Sequence, residues 1–135
     1  MSLRSAAGQY LIAFAVFLAV DLVWLVLVAP RLYERFLGDL LADSPNAGAA
    51  FVFYAIFVAG LVYFVIAPAI EEQSPRDALV RGAAFGFVTY ATWDLTSLAV
   101  IEGFPLGIVP IDVAWGTVLA AAVSTATYHL WRRFT

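Results

Sequence analysis

Residues 10–29 read YLIAFAVFLAVDLVWLVLVA, an apolar run with a single charge, Asp21, near its middle. An α-helix needs about 20 predominantly apolar residues to cross a bilayer, so this stretch predicts a membrane span. It is too long for the apolar part of a signal peptide. It also carries an aspartate and lacks a small-residue cleavage site. Three further windows meet the same requirement, at about residues 47–70, 79–101 and 108–131. Together they predict an all-α fold, with four transmembrane helices in a bundle and a single transmembrane domain over residues 1–135.

Composition agrees. The chain is 64% hydrophobic and 13% charged, against roughly half apolar and a quarter charged in soluble domains. A chain this short could not bury so much apolar surface by itself, so the surrounding medium is expected to be lipid. There is no cysteine and only one histidine, His129. Disulfides, thiol catalysis, thiolate metal sites and His-rich zinc or di-iron sites are therefore excluded. All seven basic residues are arginines and they form no run that would read as a nucleic-acid patch, so no nucleic-acid partner is indicated. No cofactor motif occurs.

The connections carry their own signals. Between residues 31 and 42, apolar residues fall at 32, 33, 36, 37, 40 and 41. That spacing gives one apolar face and predicts a short interfacial helix between helices one and two, ended by Ser44-Pro45-Asn46. Ser74-Pro75-Arg76-Asp77 predicts a helix start, with Ser74 as N-cap and Pro75 at the first position. Glu102 to Gly107 reads as a tight turn. With four spans both termini share a side, and that side holds five arginines (Arg4, Arg76, Arg81, Arg132, Arg133) against Arg31 and Arg35 on the other. The bias predicts cytoplasmic N- and C-termini.

Small residues recur every four positions at Gly82 and Gly86, and at Gly116, Ala120 and Ser124. Such faces favour close helix contact, either within the chain or in a homodimer. Packing within the chain is the more economical expectation.

Three aspartates lie inside apolar windows: Asp21, Asp94 and Asp112. Trp24 and Trp115 each follow an aspartate by three positions, on the same helix face, and Trp93 precedes Asp94. Asp21 lies about 13 Å from the outer end of helix one, Asp94 about 12 Å from that of helix three and Asp112 about 3 Å below Pro110. Tyr54 sits about 9 Å below the outer end of helix two. The three acids and Tyr54 thus fall in the outer half of the membrane, with hydroxyls available from Tyr90, Thr96 and Ser97. A carboxylate in the bilayer core costs at least about 2.5–3.5 kcal/mol on insertion scales and by default indicates an ion, proton or substrate site. Asp21, Trp24, Tyr54, Tyr90, Trp93, Asp94, Thr96, Asp112 and Trp115 are accordingly the candidate substrate- or ion-binding residues. The competing structural reading makes the acids interhelical glue, worth about 1 kcal/mol each. His129, beside Tyr128 and Trp131, reads as part of an interfacial belt.

The motifs Asp21-x-x-Trp24-Leu25, Gly60-Leu61-Val62-Tyr63-Phe64 with Pro68-Ala69, Tyr90-x-x-Trp93-Asp94-Leu95-Thr96 and Asp112-x-x-Trp115-Gly116-Thr117 cover nearly the whole chain. In them the sequence resembles the DUF2177 family of bacterial membrane proteins, with Trp93 where a tyrosine is expected. The resemblance implies a four-helix protein of the bacterial cytoplasmic (inner) membrane, in contact with lipids, and supplies no activity.

Three functions fit these features. The first is a binder or transporter of a cation or a proton-coupled small substrate. The second is an enzyme acting on a lipid or isoprenoid-like substrate, with aspartates as acid and base or holding Mg²⁺, Ca²⁺ or Mn²⁺. The third is an accessory or structural membrane subunit. A pocket reaching the acids from the lipid side, rather than from water, would speak for the lipid substrate.

Overall fold

The computed structural model describes residues 2–42, 44 and 46–135. Among them every regular element is helical. Helix α1 runs Leu3–Leu27 and starts where the Ser2 hydroxyl accepts the Ser5 N–H. Such a cap satisfies one of the free donors of the first turn. Its span begins seven residues earlier than the apolar window, because small and polar residues extend the helix beyond the apolar stretch.

Helix α2, Ala29–Leu37, follows with Pro30 in its first turn and ends at Gly38, whose φ of 45° favours glycine. A 3-10 turn, Gly38–Leu40, continues it. A short helix thus stands where the interfacial one was expected, its α-helical part ending at Leu37, five residues before Ala42. Pro45, expected to help end it, lies outside the described residues.

Helix α3, Ala47–Leu61, is capped by Asn46. It passes through a wide turn, Val62–Ile66, into α4, Ala67–Glu71. In that turn the Ala67 N–H bonds the Val62 carbonyl, one residue further back than in an α-helix. Pro68 explains the position: it lacks an N–H and its ring crowds the carbonyl four residues before it.

Helix α5, Pro75–Val100, starts at Ser74, which accepts the Asp77 N–H. Ser74 and Pro75 thus occupy the predicted positions, and the helix begins before its apolar window. Helix α6, Ile108–Phe134, ends on Arg132 and Arg133, which complement the carbonyl end of the helix dipole.

Among the described residues, three segments are long and apolar enough to cross a membrane: Leu3–Leu27, Ala47–Glu71 and Ile108–Phe134. Helix α5 falls short in apolarity, because Thr89, Tyr90, Thr92, Asp94, Thr96 and Ser97 crowd its second half. All the long helices expose large apolar side chains, such as Leu22, Val26, Phe51, Ile56, Val88 and Val118. Apolar residues all round a helix identify lipid as its solvent.

The core is narrow. Ala13 and Phe17 from α1, Phe57, Val58 and Leu61 from α3, and Leu119, Ala120 and Val123 from α6 are buried together. The closest pairing is α5 on α6. A Cβ at Gly82 would meet the Ser124 side chain, and one at Gly86 would strike the Gly116 carbonyl and Ala120. The small-residue faces are therefore spent inside the chain, which removes them as the surface of a homodimer.

Candidate functional site

Above the wide turn the bundle opens. Helix α5 packs on Val62–Ile66 but makes little contact with α3, which leans on α1. The space left at the α2 end of the bundle is a cavity of about 590 Å³. Its walls are Asp21, Trp24 and Leu25 from α1, Tyr33 from α2, Ala49, Ala50, Phe53 and Tyr54 from α3, Thr89, Tyr90 and Trp93 from α5, and Asp112 and Trp115 from α6. Seven of these are aromatic, two are acidic and none is basic. Leu25, Ala49, Ala50, Phe53 and Trp93 among these walls are exposed at the surface of the bundle, and α3 and α5 make little contact beside the cavity.

Asp21 anchors one side. The Tyr54 hydroxyl donates to its Oδ2 at 2.9 Å, and Trp115 Nε1 makes a long contact to Oδ1 at 3.4 Å. Trp115 stacks on Trp24, with ring centroids 4.4 Å apart and planes 9° from parallel. The two Asp-x-x-Trp segments thus meet crosswise: the tryptophan of α6 serves the aspartate of α1. Phe17 packs edge-on against Tyr54 behind it. Tyr90 is held against the α6 backbone because a Cβ on Gly116 would occupy its ring.

A smaller cavity of about 260 Å³ lies under α2, lined by Tyr33, Leu37, Leu41, Trp93, Asp94, Phe104, Ile108 and Asp112. Tyr33, Trp93 and Asp112 border both spaces. The Asp94 carboxyl lies within hydrogen-bonding reach of Asp112. Burial, and then the Asp112 charge, push the Tyr33 phenol above its usual range, so it stays a neutral donor near neutrality.

Seven of the nine residues proposed from sequence line the larger cavity. Asp94 lines only the smaller one. Thr96 lines neither and is exposed, because two positions past Asp94 turns its side chain about 200° around the helix. Sequence reasoning missed Tyr33, Phe53, Thr89 and the small floor of Ala49 and Ala50. Tyr33 had a signal, since it sits on the apolar face of the interfacial helix and such a face must cover something. Among the described residues no group of three His, Cys, Asp or Glu side chains is placed to hold a metal ion. The acids divide instead, with Asp21 on aromatic donors and Asp94 on Asp112.

No curated protein and no solved structure matches the chain. Residues 6–129 match a family described as "Predicted membrane protein (DUF2177)". That match covers nearly the whole sequence and all the motifs around the cavity, and the chain is a member of the DUF2177 membrane-protein family.

Proposed function

We propose that the chain crosses the bacterial cytoplasmic membrane four times and binds an amphipathic organic cation that enters sideways from the lipid. Helix α5 is the fourth crossing: its 26 residues reach about 39 Å, and it lies along α6. With both termini cytoplasmic, as the arginine distribution favours, the cavity sits in the outer half of the bilayer.

The observation that carries the reading is the lining of the larger cavity. Seven aromatic rings surround a space whose only charged neighbours among the described residues are Asp21 and Asp112. Aromatic faces attract cations, strongly where water is excluded, and a nearby carboxylate supplies the countercharge. An anion would meet two acids and no basic group. The exposed walls and the gap between α3 and α5 favour sideways entry of a lipid-borne ligand over that of a hydrated ion. The same gap favours a second reading, chemistry on a lipid, but Asp21 is already engaged by two donors and no activated nucleophile faces it.

The test uses two probes of the same shape and opposite charge, tetraphenylphosphonium and tetraphenylborate. Three of the four tryptophans border the larger cavity, so intrinsic fluorescence reports binding. The phosphonium should change it saturably and the borate should not. Asp21→Asn should weaken the phosphonium at least tenfold, about 1.4 kcal/mol. Equal binding of both ions, or unchanged affinity in Asp21→Asn, sinks the proposal.

A further inference from the structure

Asp94 is the most deeply buried of the acids, at 1% exposure. Its Oδ2 is buried without a hydrogen-bond partner among the described residues. It lines the smaller cavity with Leu37, Leu41, Phe104 and Ile108, which offer no donor, and with Tyr33 and Trp93. None of these carries a positive charge, and neither the Tyr33 hydroxyl nor the Trp93 indole N–H bonds Oδ2. What does lie within reach is the Asp112 carboxyl. An ionised carboxylate only accepts hydrogen bonds, so two carboxylates in contact satisfy each other only when one carries a proton.

We infer that Asp94 and Asp112 form a one-proton binding site under α2, separate from the cation cavity around Asp21. The proton sits between the two carboxyls and supplies the missing donor for Asp94 Oδ2. The pair then carries one negative charge instead of two. A metal ion is a poorer occupant, because hard cations take six or more oxygen ligands and the cavity offers two carboxyls and the Tyr33 phenol. The titratable groups around the pair are Tyr33 from α2, Tyr90 from α5, and Asp21 from α1, which interacts with Asp112 through space. No arginine lines either cavity. The site does not require the cation reading, yet Asp112 borders both spaces and links them.

Infrared spectroscopy of the purified protein at neutral pH tests this directly. Wild type should show the carbonyl band of a protonated carboxylic acid, which moves on exchange into heavy water and on ¹³C-labelling of aspartate. The band should survive in Asp21→Asn and vanish in both Asp94→Asn and Asp112→Asn. Its absence from wild type, its persistence in both pair variants, or its loss in Asp21→Asn overturns the inference. Absence of the band from the labelled wild type overturns the inference even where a variant fails to fold, and survival of the band in Asp21→Asn supports it without the pair variants. Failure of the phosphonium to bind would leave this band untouched, so the two proposals fall separately.

Discussion

Asp21 and Asp94 are both buried, but they keep different company. Asp21 accepts from Tyr54 at 2.9 Å, whereas Asp94 faces another acid. Replacing Asp21 by asparagine keeps an acceptor for Tyr54, so Asp21→Asn should melt in detergent close to wild type. Tyr54→Phe removes the donor and should cost about 0.6–1.7 kcal/mol, the range for interhelical hydrogen bonds in membranes. Equal losses in the two variants would assign the stabilisation to charge instead. At this scale the sequence was partly legible. The spacing in Asp21-x-x-Trp24 and Asp112-x-x-Trp115 puts acid and ring on one face. The crosswise pairing of Trp115 with Asp21 depends on how α1 meets α6, which no local pattern encodes. Thr96 fails as a candidate for the same reason: a neighbour in sequence need not share a face.

Between elements, the decisive contact is α5 on α6, where Gly86 lets the backbones touch. Gly86→Ala should lower the melting temperature by the cost of overpacking, about 1–3 kcal/mol. Gly48, in the first turn of α3, has only the Asn46 side chain at 3.5 Å from a would-be Cβ. Gly48→Ala should be neutral or stabilising by up to about 1 kcal/mol. A stable Gly86→Ala would show that the two helices can slide apart freely. The small-residue stripes were readable as contact faces, but not their partner, since a four-residue spacing suits contacts within and between chains alike. The interfacial helix was legible because its apolar face contrasts with Arg31, Glu34 and Arg35. Its role in walling two cavities through Tyr33 was not.

For the molecule as a whole, the proposed cation site rests on a place where packing fails, the gap between α3 and α5. Apolar windows reveal that the chain is helical, not where two of its helices part. The chain has no cysteine, so a spin label on Ala50→Cys reports one position. In bilayers that label should be accessible to oxygen and shielded from a water-soluble nickel chelate. The opposite result would make the cleft aqueous and its ligand water-borne.

The wide turn at Val62–Ile66 has a consequence for angular phase. Phe57, Leu61, Val65 and Ala69 are all buried, and so are Val58, Val62 and Ile66, each series stepping by four. On a regular helix such a step drifts by about 40°, and three steps would carry the stripe about 120° off its mark. One extra residue in a single turn takes back about 100° of that drift. The turn therefore acts as a phase corrector, keeping both rows of side chains aimed inward from the cavity to the far end of the bundle. What it constrains in this segment is the number of residues, as strictly as hydrophobicity constrains their kind.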